Sequence, residues 1–226
     1  MKFNERLYLG SKQVEPISWN GLLSYRNPGT AQVVTNEKPT MQEIIAYEFG
    51  YDNRLTRWFT GYVDSYTQLN DGKYSLFCRE LTGTFRNPLP LFDQHLTLTE
   101  LLTKIAARTA LHFITSDEDY TRTIAPYICN HGTGYALLDS LGDIYNIDRY
   151  MWQQQGDGRI YVGSWDQSAW YSRNIVLPYN QIETASMDSA IISASPLLRP
   201  GVLINGQRIR NIQHSKDKMV ITWMTK

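Results

Sequence analysis

The sequence predicts a mainly β protein with an α+β middle domain, in which barrel-like β domains flank a two-helix and hairpin domain. Three observations predict it. Short alternating apolar runs, bounded by turn-forming residues, fill positions 1–95 and return in 185–226. Asn70-Asp71-Gly72-Lys73 and Gln155-Gly156-Asp157-Gly158 each separate two such runs, as hairpin turns do. Residues 96–113 form the one strongly helical stretch. The expected domains are therefore an N-terminal β-barrel-like domain over 1–95, an α+β middle domain over 96–184, and a C-terminal β segment over 185–226, a partial second barrel.

In the first domain, Gly10-Ser11 separates runs at 6–9 and 13–15. Ile17, Trp19, Leu22 and Leu23 mark a strand, with Asn20-Gly21 as a turn or bulge. Asn27-Pro28-Gly29 signals a turn, and 32–35 is a short β-branched run. Residues 43–49 fit a strand better than one helical turn. The clearest hairpin joins 58–67 to 74–79, with Tyr74, Leu76 and Cys78 on one face. Residues 82–95, with Asn87-Pro88-Leu89-Pro90, read as a linker.

The middle domain starts with a capping signal. Thr97 and Glu100 have capping-box spacing, and Leu96 and Leu101 stand where a hydrophobic staple would sit. Leu98, Leu101, Leu102, Ile105 and Leu111 follow the helical period. A strand at 113–115, an acidic loop at 117–119 and a short apolar run at 127–129 come next. A second helix spans about 135–145, capped by Thr133, with Leu137, Leu138, Leu141, Ile144 and Tyr145 on one face. Gly142 weakens it slightly. The hairpin 149–154 and 159–163 completes the domain. The last segment holds runs at 190–194, 201–204, 207–213 and 219–223, with turns at Asn205-Gly206 and 215–217. Four short strands are too few for a free-standing barrel, so this piece must borrow strands from elsewhere in the chain or from a neighbour.

Bulk properties narrow the function classes. The 22 basic and 22 acidic residues cancel, so charge selects neither a polyanion nor a cationic partner, and no specific nucleic-acid binding is expected. Cys78 and Cys129 lack metal-ligand spacing and read as free thiols. The N-terminus has no apolar core of a signal peptide. No apolar run approaches the ~20 residues that cross a bilayer. Folding in a cytoplasm without stable membrane insertion is expected.

Catalytic patterns are missing. His95, His112, His131 and His214 are scattered, and none pairs with another at ligand spacing. Asp117, Glu118 and Asp119 have the chemistry for glycoside hydrolysis, but no pattern sets them across a cleft. There is no GxSxG elbow, HExxH helix or phosphate loop. Gly156-Asp157-Gly158 lacks the further oxygen ligands of a calcium loop. No catalytic, cofactor or metal residues are assigned. Trp152, Tyr161, Trp165, Trp170 and Tyr171 are the best binding candidates, as a stacking platform on one strand face. Their plainer reading is a small core under the two helices.

Four stretches in this order carry a resemblance. Phe59-Thr60-Gly61-Tyr62-Val63-Asp64 leads through a hairpin to a polar turn near Leu81. The helix of 96–113 precedes a short strand. Residues 133–163 run from a helix to a hairpin ending Gly-Asp-Gly-Arg-Ile-Tyr-Val-Gly. Leu198-Arg199-Pro200-Gly201-Val202 opens the strands that return to Trp223. The chain thereby resembles the tail hub, or baseplate hub, proteins of tailed bacteriophages, especially the Mu-like tail protein D family. The resemblance implies a non-enzymatic structural protein of the virion tail tip, assembled in the host bacterial cytoplasm. It implies a homotrimer whose paired barrel domains present a near-sixfold face. That ring would meet a tube or distal tail protein above and a threefold spike or fibre protein below. Many hubs are longer, with a fuller second barrel. Some carry a cysteine-bound iron–sulfur cluster, which two distant cysteines cannot hold, so no cofactor is implied here. Two rivals are a carbohydrate-binding β module using Trp152, Trp165 and Trp170, and a tail-associated cell-wall hydrolase using Asp117 or Glu118.

Overall fold

Alternating apolar residues organise most of the strands into one large sheet in a computed structural model that describes residues 2–171, 173–178 and 182–224. Parts of the expected domains at Met1, Ser172, Tyr179, Asn180, Gln181, Thr225 and Lys226 lie outside the described residues. The N-terminal strands are β1 (Phe3–Leu9), β2 (Lys12–Val14), β3 (Pro16–Ser24), β4 (Asn27–Thr35), β5 (Ile44–Tyr51), β6 (Arg54–Gln68) and β7 (Tyr74–Glu80). The middle segment holds β8 (Leu91–Thr97), α1 (Leu98–Thr109), β9 (Phe113–Ile114), β10 (Ile124–Asn130), α2 (Gly134–Ile144), β11 (Tyr150–Gln154) and β12 (Ile160–Ser164). The rest is β13 (Asn174–Ile175), β14 (Ile182–Ala185), β15 (Ser189–Ser193), β16 (Leu203–Ile204), β17 (Gln207–Ser215) and β18 (Lys218–Trp223).

The main sheet runs in the order β14-β15-β18-β17-β3-β4-β7-β6-β5-β1-β2, with β16 and β13 attached beside β17. The C-terminal segment takes partner strands from the N-terminal part of the chain. It extends the first sheet, because β17 pairs antiparallel with β3, Ile212 opposite Leu23 and His214 opposite Gly21. A bulge between Ile209 and Asn211 lets Ile209 and Ile212 both point inward although they are three residues apart.

The sheet is curled. Trp19 on β3 stacks on Tyr47 of β5, with ring centroids 3.8 Å apart. These strands are four places apart in the sheet order, which in a flat sheet means roughly 19 Å at the usual strand spacing. The curl encloses one aromatic core: Trp19, Tyr47, Phe49, Trp58 and Phe59, with His214 and the aliphatic side chains of β17 and β18.

Gly21 sits inside β3 with no turn. A Cβ there would lie 2.9 Å from the Trp58 ring and 3.0 Å from Trp19 Nε1, so glycine makes room for the two indoles. The turn expected at Asn27-Pro28-Gly29 comes earlier, at Tyr25-Arg26, where Arg26 adopts φ 54 and Asn27 already pairs with Ser24. Residues 82–95 are no linker. A 3-10 turn over Leu81–Arg86 buries Phe85, and β8 then pairs with β10. Phe85 fills the space between Phe113 and Tyr135, with ring centroids 6.1 Å and 6.4 Å away.

A second core lies under the helices. Leu98, Leu101, Leu102 and Ile105 of α1 meet Leu137, Leu138 and Leu141 of α2. The capping box is formed: Thr97 Oγ1 accepts from the Glu100 amide at 3.3 Å, and Glu100 Oε2 accepts from the Thr97 amide at 2.8 Å. The helical stretch is shorter than 96–113. Leu96 and Thr97 belong to β8, and Ala110 turns left-handed at φ 56 and ends the helix, so Leu111 is buried beyond it. The Tyr145 hydroxyl donates to the Leu96 carbonyl at 3.2 Å and ties the end of α2 to the start of α1. Gly142 has a packing cause, since a Cβ there would lie 2.7 Å from Tyr150.

Candidate assembly surface

The residues with catalytic chemistry do not converge. Asp117 pairs with Arg122 on the surface, and Asp119 opens a short 3-10 turn. His95 and His112 are exposed and stand apart. His131 contacts Cys129, with Sγ to Nε2 at 3.3 Å, at the exposed end of β10. Both thiols are free; Cys78 is buried, and burial pushes its pKa up to about 12. Among the described residues, no three His, Cys, Asp or Glu side chains gather as metal ligands. Among the described residues, no helix is long and apolar enough to cross a membrane.

His214 is fully buried. Its ring stacks on Phe49 at 4.3 Å, and Nε2 lies 2.7 Å from the Lys216 carbonyl. Nδ1 has no partner. Burial pushes its pKa down to about 4.

The aromatic group divides between the two cores instead of forming an open platform. The hairpin β11–β12 is covered on both faces: Trp152 and Val162 face the helices, while Met151 and Tyr161 face the curled sheet. Trp165 and Trp170 also join the sheet core, so the core under the helices holds only Trp152 of this group. Trp152 Nε1 donates to Asp139 at 2.8 Å, and Trp165 Nε1 donates to the Gly201 carbonyl at 3.0 Å. Tyr171 alone of the five is exposed. A sugar would find no stack of three indoles here.

Arg199 has a definite job. It is buried with Glu80, Nη2 to Oε1 at 2.8 Å, and donates further to the carbonyls of Trp58 at 2.5 Å and Gln154 at 2.9 Å. Glu80 Oε2 accepts from the Gly29 amide at 2.7 Å. Gln154 links outward, donating to the Thr60 carbonyl at 2.7 Å and accepting from the Thr82 amide at 3.0 Å. One ion pair therefore pins together β4, β6, β7, the hairpin β11–β12 and the 194–202 segment. Burial pushes Glu80 up and Arg199 down; the pairing opposes both shifts.

An apolar face on the small sheet is left uncovered by the fold. The two-stranded sheet β8–β10 buries Leu91, Ala125 and Ile128 against the helices. Its outer side presents Phe92, Tyr127 and Ile124, which are 66%, 65% and 59% exposed. The register sets Phe92 opposite Cys129 and Tyr127 opposite Gln94, so both rings stand on one face. In the sequence, Tyr127 reads only as part of a short run and Phe92 as part of a linker. The signal was the alternation of 91–94 against 127–130.

No established family profile matches the chain. Over 223 residues, 98% of its length, the chain is 30% identical to an uncharacterised 58.7 kDa protein from the lys 3′ region of Haemophilus phage HP1. It spans 42% of that relative's length. Solved structures share the fold along almost the whole chain. The 43 kDa tail protein of prophage MuSo2 from Shewanella oneidensis superposes with a TM-score of 0.73 at 11% identity, over 99% of this chain and 98% of that one. A tail protein from Neisseria meningitidis gives 0.70 at 11% identity, over 99% and 96%. An Escherichia coli component of the type VI secretion system, described as similar to the T4 bacteriophage tail proteins gp27 and gp5, gives 0.63 at 13% identity, over 97% and 76%. The mainly β fold expected from the resemblance is present, and the chain shares it with these phage and prophage tail proteins.

Proposed function

We propose that this protein is a structural component of a phage or prophage tail, a hub whose copies close a ring, and that it has no enzymatic activity. The observation that carries the reading is similarity to a prophage tail protein over 99% of this chain and 98% of the other. The 30% identity to a phage-encoded protein over nearly the whole chain agrees in source. In this reading the ring is a trimer at the virion tail tip, adapting a sixfold tube above to a threefold spike or fibre below. Its partners are other copies of the chain and neighbouring tail proteins. The sheet built from β1–β7 and β13–β18 forms the ring body, and the α+β unit of β8–β12 with α1 and α2 is set against it. The uncovered face of Phe92, Tyr127 and Ile124 supports the assembly role, because large exposed apolar side chains in one patch are what an interface covers.

Native mass over a wide concentration range tests the ring. The expected result is a trimer that Phe92→Ser with Tyr127→Ser weakens. A strict monomer at every concentration, both alone and on purified tails, would overturn the reading.

A further inference from the structure

Where the turn between β3 and β4 meets β17, the molecule carries positive charge that the ring does not use. Arg26, Arg149, Arg208 and Arg210 gather around Tyr25. Arg26 pairs with Asp139 at 3.0 Å, and Arg149 pairs with Asp166 at 2.5 Å. Among the described residues, no carboxylate lies within ion-pair distance of Arg208 or Arg210. Among the described residues, Arg208 and Arg210 thus have no carboxylate in contact, and Asp166, already paired with Arg149, acts on Arg208 only from further off.

Arg208 is fixed in place. Its guanidinium carbon lies 4.0 Å from the centre of the Trp165 ring and 4.3 Å from that of Tyr25, and Nη2 donates to the Tyr25 hydroxyl. Its Nε is buried without an acceptor. A half-buried cation without a counter-ion is unfavourable, and burial pushes its pKa down accordingly. Beside it opens a recess of about 560 Å³ lined by Tyr25, Arg26, Asn27, Arg210, Asn211 and Met224. The Tyr25 oxygen accepts from Arg208 and keeps its own hydrogen to donate.

We propose that this recess binds a carboxylate side chain from an acidic segment of a partner protein, held by Arg210 and the Tyr25 hydroxyl with Arg208 behind them. The proposal rests on the assembly reading only for its protein partner. Arginine forks suit carboxylates, and the field of a second, immobile arginine strengthens that contact. The recess holds a few side chains. The Asn27 and Asn211 amide nitrogens already donate to the Tyr25 carbonyl at 3.2 Å and to Thr222 Oγ1 at 3.0 Å, which leaves their oxygens to accept from a peptide backbone. Nucleic acid is the poorer fit, since its binding grows with the number of phosphates neutralised, and only two cations are uncompensated here.

Fluorescence anisotropy with a labelled hexaglutamate peptide at low salt tests this, beside a single-stranded oligonucleotide of equal charge. Arg210 is exposed, so Arg210→Glu is expected to leave the melting temperature unchanged while weakening peptide binding at least tenfold, with Arg210→Lys in between. Peptide binding that ignores Arg210→Glu, no peptide binding by the wild type, or binding of the oligonucleotide alone would each overturn the proposal. Native mass separates the two readings. A monomer whose peptide binding depends on Arg210 keeps the recess and loses the ring; a trimer that binds no peptide does the reverse.

Discussion

Replacing Arg199 by methionine should be among the most damaging single changes in this protein. The substitution roughly keeps the side chain's volume and removes its charge. Glu80 would remain, buried on every side and without a cation. Removing one partner of a buried pair costs about 3–5 kcal/mol, because the surviving charge is left unpaired. The carbonyls of Trp58 and Gln154 would also lose their donor, at about 1–3 kcal/mol each where nothing replaces it. Glu80 can respond by taking up a proton, which brings the total below the lower end of that sum, to about 4 kcal/mol. For a chain of this size that lowers the melting temperature by roughly 8–16 °C. Urea unfolding followed by tryptophan fluorescence reads it directly, since Trp58 Nε1 donates to the Leu198 carbonyl beside the clamp. Glu80→Gln should cost less, because the amide oxygen can still accept from Arg199 or Gly29. A loss below about 1 kcal/mol for Arg199→Met would refute the reasoning, and would mean that water reaches Glu80 or that the network is not formed.

Two further outcomes follow from the cores. Leu101→Ala or Ile105→Ala should cost about 2–5 kcal/mol in the same assay, as large-to-small changes at buried positions do, and a cost near zero would mean that this helix face is not buried. The buried His214, held near pKa 4 against 6.5 for the free side chain, makes stability pH-dependent. Its folded pKa is depressed, so the unfolded chain takes up the proton first. Stability is full above pH 6.5, falls as the pH drops from 6.5 to about 4, and stops falling below that, a loss of up to about 3 kcal/mol. Urea midpoints across that range should slope for the wild type and flatten for His214→Gln; equal slopes would show that other groups cause the loss.

What the sequence made legible was local. The Asp71-Gly72 hairpin, the Thr97–Glu100 capping box and the Asn205-Gly206 turn each depend on neighbouring residues, and each is present. Non-local pairings were hidden. Gln213 meets Asn20 across 193 positions, and nothing in either run names the other. Arg199 stood in a motif that pointed to the tail hubs, but its buried partner Glu80 lies 119 positions away. The division of the aromatics was half legible. All five residues of β12 are buried, and a strand without a polar face signals cover on both sides. Such a strand must serve two cores, which a single core under the helices does not provide.

The edges of the sheets bear on how copies would meet. The main sheet ends in β2, only three residues long, and in the four-residue β14, and short edges limit strand pairing with another chain. β8 and β10 are longer, at seven residues each, and among the described residues each pairs only with the other. Their midpoints are interrupted at facing positions. His95 takes φ 55, and opposite it Pro126 has no amide to donate. A neighbour adding a strand along β10 would lose a hydrogen bond at Pro126, and along β8 would meet the kink at His95. The flat outer face of the same pair has no such guard: Phe92 and Tyr127 project from it together. Ring closure by edge pairing is thus the weaker route, and contact through this face the stronger one. Apolar contact tolerates small changes of angle between subunits better than a strand ladder does, which would suit the proposed ring.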